Sequence, residues 1–252
     1  MQFSANLGFL WTDRPLPEAI HAAQAAGFAA VECHWPYETP AQEVRAALAA
    51  SGLPMLGLNT IRGKPGENGL AALPGREVEA RAAIDQAIQY AETIGAGAVH
   101  VMAGFSDGAG AQAAFEANLS YAAAQTDRTI LIEPLNRHDA PGYFLKTTDQ
   151  ARAIIERVSA QNLKLMFDCY HVGRTEGDVI TRLTELLPLI GHIQFASVPD
   201  RGPPDQGELN YAAIFSHIAS LGWTAPLGAE FKPRSPGDIL HWAEPLASHI
   251  EA

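Results

Sequence analysis

The chain has 252 residues, 47% of them hydrophobic and 18% charged, with 17 Lys and Arg against 28 Asp and Glu for a formal charge of -11. That length suits one or two domains, and α/β barrels use it for one. A chain of this size buries about three quarters of its unfolded surface and needs no staple to hold a core. The acidic balance argues against a nucleic-acid or anionic-membrane binder, whose affinity rests on neutralising phosphates. It leaves room for a small anionic substrate, which needs only one local positive group. Two cysteines, Cys33 and Cys169, cannot build a disulfide framework or a thiolate zinc site. No run approaches the roughly 18 apolar residues of a membrane span. The opening MQFSANLGFLWTDRP lacks a basic n-region and a clear apolar h-region, so no signal peptide is expected and a reducing cytoplasm is the expected compartment.

Along the chain, short β-rich runs alternate with Ala-, Glu- and Arg-containing segments of helical period. The first strand is expected over residues 2–9, with a helix over 17–26 stopped by Gly27. The next pairs are 28–32 with 40–50, and 54–59 with a long helix from about 76 to 94 closed by Gly95. Strands at 98–102, 129–133, 163–168, 190–195 and 226–230 follow, each with a helix behind it at 112–124, 147–158, 178–186, 211–220 and 236–249. The strands are mostly continuous apolar runs, as parallel strands covered on both faces should be. Eight strand–helix units in one chain have the cadence of a single (β/α)8 barrel spanning residues 1–252. A doubly wound open sheet is the alternative, but the turn after the first strand reads GFLWTDRP and has no G-x-G-x-x-G. The long loops at 60–75, 104–111, 135–146 and 196–210 all follow strands, and in a barrel such loops gather at the face where sites are built.

Each of the last four strands ends in an oxygen-bearing side chain: LIEP gives Glu133, LMFD gives Asp168, HIQF gives Gln194 and GAEF gives Glu230. They are 35, 26 and 36 residues apart, close to one eighth of the chain, so they should share one height at one mouth. Carboxylates this close repel and lose hydration, at several kcal/mol each. Protonation of one member or a cation relieves that. A set of oxygen donors suits one hard divalent ion, Mg²⁺ or Mn²⁺, better than zinc. The bland reading of any one acidic strand end is a loop cap or salt-bridge partner; four in register point to a shared metal site.

His171, three residues after Asp168 in the loop leaving that strand, is a candidate to touch substrate. Arg201 in VPDRGPP is a candidate to grip a substrate carboxylate through its planar fork. Lys64 in IRGKPGENG is a weaker substrate-binding candidate, as is Lys232, and Glu208 reads as a cap for the helix near Tyr211. Phe9, Trp11 and Trp35 could wall one side of a small pocket, though aromatics there are as often packing. GFSDGAGAQ lacks the G-K-[ST] ending of a phosphate loop and reads as a flexible lid. No G-x-S-x-G nucleophile elbow appears.

FSANLGFLW, Pro36 with Tyr37, LPGRE, EARAAIDQAIQYA, Ala103 with Gly104, IEPLN with PGYFL, FDCYH, HIQFASVPDR, GELNY and GAEFKP together resemble the hydroxypyruvate isomerase family, within the xylose-isomerase-like TIM barrels. The resemblance runs over essentially the whole chain. It implies that Glu133 and Glu230 are metal ligands and also the proton-transfer pair, with Asp168 and Gln194 completing the coordination. It implies interconversion of hydroxypyruvate and tartronate semialdehyde through an enediolate, without a redox cofactor. His171 would polarise a substrate oxygen. His100, in VHVMAG, departs from the family's less polar strand end and bears on substrate choice if it faces the pocket.

Other readings remain open at this stage. The same residues would serve a 2-oxo-tetronate isomerase or a ketose epimerase. A non-catalytic barrel that binds a sugar acid would have no reason to keep paired glutamates at that height. An endonuclease-IV-like phosphodiesterase would carry a histidine-rich zinc cluster and a basic surface. The expected partner is a small hydroxy-carbonyl acid, not nucleic acid or membrane, and barrels of this kind often form homo-oligomers.

Overall fold

The structure is a computed structural model, and it describes residues 1–235 and 239–242. Eight parallel strands form one sheet: β1 (Phe3–Asn6), β2 (Ala30–Glu32), β3 (Gly57–Asn59), β4 (Ala98–His100), β5 (Thr129–Ile132), β6 (Leu163–Asp168), β7 (Ile190–Phe195) and β8 (Leu227–Ala229). Their order, β2-β1-β8-β7-β6-β5-β4-β3, leaves only β2 and β3 as edges. Those edges meet: the Val31 amide donates to Pro54 at 3.0 Å, Leu56 donates back to Val31 at 2.8 Å, and Cys33 donates to Gly57 at 3.1 Å. The sheet therefore closes into the expected (β/α)8 barrel.

The connecting helices are α1 (Leu16–Ala25), α2 (Ala41–Ser51), α3 (Glu77–Ile94), α4 (Ala111–Gln125), α5 (Thr148–Val158), α6 (Cys169–Thr175), α7 (Val179–Leu186) and α8 (Tyr211–Ser220). α3 shows why they form: Ala80, Ala83, Ile84, Ala87, Ile88, Ala91 and Ile94 recur at helical spacing and are buried, and Gly95 ends the helix at φ 77°. The expected first strand shortens to four residues. The segment after Asp168, expected as loop, holds α6. The cap of α8 is Asn210, whose side chain accepts from the Ala213 amide at 3.2 Å, rather than Glu208. The expected helix over 236–249 falls mainly outside the described residues. No helix among the described residues is long and apolar enough to cross a membrane.

Strand alternation divides the core in two. One set of strand residues, including Val99, Ile130, Ile132, Leu165, Phe167, Ile193 and Phe195, packs with the buried helix faces in one large cluster. The intervening residues face the barrel axis, where Ala98, Leu131 and Met166 form a small separate cluster. Small residues on that inner face, Gly57 and Ala98, line a cavity of about 190 Å³ along the axis.

Candidate active site

The cavity's upper end is polar on every strand. Asn6, Glu32, Asn59, His100, Glu133, Gln194 and Glu230 line it, and Asp168 lies beside Gln194 in the β6–β7 register. Seven of these eight are no more than 6% exposed, among them all four expected ligands. The four late residues were read from strand ends, and they do rise from four neighbouring strands. Gln194 also pairs with Gly228, so Glu230 stands two residues further up its own strand, a consequence of barrel stagger. His100, singled out for its polar strand end, does face the cavity. Asn6, Glu32 and Asn59 were missed; the same scan for a polar residue closing each apolar run would have found them on the first three strands.

Local structure aims each side chain. Asp168 is the N-cap of α6, and its Oδ1 accepts the Tyr170 amide at 2.8 Å. That bond leaves Oδ2 buried and without a hydrogen-bond partner among the described residues. Glu133 Oε1 and Gln194 Oε1 are orphaned in the same way. Gln194 points its nitrogen the other way, into Glu32 Oε1 at 2.7 Å. Glu230 is held from two sides: His34 Nε2 lies 2.8 Å from its Oε1, and Arg201 Nη2 donates to its Oε2 at 2.8 Å. Neither His34 nor Glu32 was anticipated as part of the site.

His171 lies on α6, not in a loop, with Nε2 3.8 Å from Glu133 and 3.6 Å from Asp168. Glu133, Asp168 and His171 each offer an atom within 4.8 Å of the others, a group that could hold a metal ion. The far side of the ring decides its part. The Asn136 amide donates to Nδ1 at 2.9 Å, and the Asn136 side-chain nitrogen lies 2.8 Å from the same atom. Nδ1 is thus an acceptor, so the neutral ring carries its proton on Nε2. An Nε2–H facing two carboxylates is a donor and leaves no lone pair for a cation. The ring is neutral because burial, and then the Arg201 charge, hold its pKa down to about 3. Burial also holds His100 down to about 3, and its Nε2 has no partner among the described residues.

Arg201 does reach the mouth. Its backbone is left-handed at φ 57°. Its guanidinium lies over Phe9 at 4.6 Å and Tyr170 at 5.0 Å, and Nη2 is 3.8 Å from Asp168. Burial would lower its pKa, but Glu230 and Asp168 outweigh that and raise it. Its Nε is buried and unpartnered among the described residues. Lys64 does not join this group: it is exposed and lines surface grooves with Gly63 and Arg62. Lys232 is exposed as well, and its amide donates to the Arg201 carbonyl at 2.7 Å. Of the three aromatics, Phe9 and Trp35 flank the His34 ring at 5.5 and 4.9 Å, whereas Trp11 packs on Phe28.

The carboxyl groups are pushed in opposite directions. Burial, then Glu230 and Asp168, raise Glu133 well above the usual carboxylate range. Burial, then Glu230, push Asp168 up to about 7. Burial pushes Glu230 the same way, but Arg201 and His34 outweigh it and bring it down to about 2. Three carboxyl groups thus share one guanidinium beside two neutral histidines. Three orphaned buried oxygens and an excess of negative charge fit a hard divalent cation, which prefers oxygen donors.

The comparisons agree with this architecture. The family model described as xylose isomerase-like TIM barrel matches residues 20–251. A 2-oxo-tetronate isomerase from Cupriavidus necator is 44% identical, over 97% of this chain and 98% of its own. Hydroxypyruvate isomerase from Escherichia coli is 36% identical, over 97% of this chain and 99% of its own. A crystal structure named as an AP endonuclease, family 2, from Brucella melitensis superposes with a TM-score of 0.93 at 35% identity, covering 97% of this chain and 98% of that one. The chain belongs to the xylose isomerase-like TIM barrel family, beside full-length relatives that are named as isomerases of small keto acids.

Proposed function

We propose that this chain is a divalent-cation-dependent aldose–ketose isomerase that interconverts hydroxypyruvate and tartronate semialdehyde. The observation that carries the reading is the set of orphaned oxygens on three consecutive strands, Glu133 Oε1, Asp168 Oδ2 and Gln194 Oε1, beside an anchored Glu230. Glu133, Asp168, Gln194 and Glu230 would hold the ion, Mg²⁺ or Mn²⁺. When bound, it supplies charge stabilisation for the oxygens that become negative as a carbon-bound proton leaves.

In the reaction a proton leaves C3 of hydroxypyruvate and one returns to C2, while the hydroxyl proton passes from O3 to O2. Two carboxyl groups with opposed environments suit the carbon transfers. Glu230, kept ionised by Arg201 and His34, is the group able to accept a proton. Glu133, the other carboxyl group of the pair, would return a proton to C2. His171 Nε2–H donates to a substrate oxygen, its tautomer fixed by Asn136. Arg201 keeps its Nε free for the substrate carboxylate while Nη2 holds Glu230.

A second substrate has a specific claim. The Cupriavidus relative acts, by its name, on 2-oxo-tetronate. The same proton movements serve that acid, with His100 and Asn59 on the wall of the cavity to meet an added hydroxyl. The Brucella structure's name points to a nuclease instead; a net charge of -11 and a mouth of oxygen donors oppose phosphodiester chemistry on DNA. The deciding experiment is a panel of hydroxypyruvate, 2-oxo-tetronates and ketoses in D₂O with added Mg²⁺ or Mn²⁺. Deuterium should appear at carbon in one of the two acids; binding without exchange across the panel would sink the catalytic reading.

A further inference from the structure

Below the mouth lies a carboxylate that the reaction does not use. Glu32, on β2, is buried and accepts at both oxygens: Ser4 Oγ at 3.0 Å and His192 Nε2 at 2.6 Å on Oε2, and Asn6 Nδ2 at 2.9 Å and Gln194 Nε2 at 2.7 Å on Oε1. Gly228 makes room for this meeting. A Cβ at that position would come within 2.7 Å of Gln194 Cγ and 2.8 Å of both Glu32 oxygens.

An amide side chain has one oxygen end and one nitrogen end, and only the oxygen can face a cation. Gln194 is free to turn over unless something tells the ends apart. An ionised carboxylate does so because it accepts and never donates. Asn6 cannot take over the choice, since its own oxygen accepts the Gly8 amide at 2.9 Å and only its nitrogen is left for Glu32. We propose that Glu32 is the positioning residue of the cation site: its Oε1 captures the Gln194 nitrogen, and this alone turns Gln194 Oε1 into the cavity. The inference rests on the cation reading given above.

The geometry separates this role from a mere contribution of negative charge. In Glu32→Gln, an amide oxygen can stay at the Oε1 position and accept from Asn6 and Gln194. The new NH₂ then meets Ser4 and His192, both of which can accept instead. Orientation is kept while the charge is lost. Glu32→Ala loses both. In a Gln194→Glu background residue 194 has two oxygens, so orientation ceases to matter.

The test is Mn²⁺ titration of the full chain, followed by the electron-spin-resonance signal of free Mn²⁺, with folding of each variant checked by circular dichroism and unfolding. The wild-type protein should bind one ion, and Asp168→Asn should abolish it. Glu32→Ala should weaken binding roughly 10- to 100-fold, and Glu32→Gln should stay within about threefold of wild type. Adding Glu32→Ala to Gln194→Glu should cost nothing further. Wild-type affinity in Glu32→Ala, an equal loss in Glu32→Gln, or a loss that persists in the Gln194→Glu background each overturns the proposal. If Glu32→Ala does not fold, the Glu32→Gln arm decides alone: retention supports it and a tenfold or greater loss overturns it. A wild-type protein that binds no Mn²⁺ overturns the cation reading itself.

Discussion

His34 and Glu230 meet across the barrel mouth, Nε2 to Oε1 at 2.8 Å, although 196 residues separate them in sequence. The missing side chain of Gly8 permits this approach, because a Cβ there would overlap the His34 ring. Phe9 and Trp35 hold the ring on its flanks at 5.5 and 4.9 Å. A hydrogen bond to a charged group contributes about 1.5–3 kcal/mol. His34→Ala should therefore lower kcat by roughly 10- to 100-fold, since Glu230 loses one of its two anchors. Gly8→Ala should lower it in the same direction by displacing the ring. Steady-state kinetics on both variants checks this, and wild-type kcat in His34→Ala would show that Glu230 needs only Arg201.

Glu133→Gln preserves volume and should leave the unfolding curve close to that of wild type, whereas Glu230→Gln removes the charge paired with the buried Arg201 and should unfold earlier. Each should reduce turnover by about 10²- to 10⁴-fold, the usual contribution of a positioned acid or base. Deuterium exchange at the substrate carbon should fall in parallel. Full exchange in either variant would remove that glutamate from the proton path.

The raised carboxyl groups give the cation-free protein a pH dependence. Asp168 moves from an ordinary value of 3.8 up to about 7, by burial and then Glu230, and Glu133 shifts the same way. A carboxyl whose folded pKa is raised is stabilising below its unfolded pKa, and that contribution is lost as pH rises through the folded value. His100 and His171, held down to about 3, act in the opposite sense below about pH 6.5, so the test is the difference between variants: from about pH 4 to pH 7 the melting temperature measured in EDTA should change less favourably with rising pH in wild type than in Asp168→Asn. Mn²⁺ must displace the same protons, so its affinity should rise with pH across about 7. A pH-independent affinity from pH 5 to 8 would mean that neither carboxyl group carries a proton to be displaced.

Phe195 follows Gln194 on β7, and its ring is surrounded by Phe3, Tyr211, Phe215 and Trp242 at centroid distances of 5.0–5.9 Å. Phe195→Ala should destabilise the fold by about 3–5 kcal/mol, read by urea unfolding. It should also weaken Mn²⁺ binding, because it loosens the strand that presents Gln194. A loss of stability with unchanged Mn²⁺ affinity would uncouple the outer core from the mouth.

Strand cadence and the polar ends of the late strands were legible in the chain because both are one-dimensional. An apolar run of fixed length becomes a buried parallel strand, and a side chain at its end stands at the mouth whatever its neighbours do. That reasoning reached Glu133, Asp168, Gln194 and Glu230, and it placed Arg201 in the loop that delivers it. It stopped at partners. His34 was unremarkable after β2, and Glu32 looked like the end of an ordinary strand. Lys64 was kept beside Arg201 as a weaker loop cation, and the structure separates them fully: one is exposed and the other is stacked on Phe9 and Tyr170.

What the sequence determined by itself was the barrel and the height at which its polar residues stand, since strand period and unit length fix both. What only the tertiary structure decided was which of those groups touch and which atoms are left over. The proton on His171 Nε2 is set by an amide 35 residues upstream. The end of the Gln194 amide that faces the cavity is set by a carboxylate 162 residues away. Hydrogen bonds act over about 3 Å, and closing the barrel brings strands from opposite ends of the chain within that reach; no local pattern records which pairs will meet.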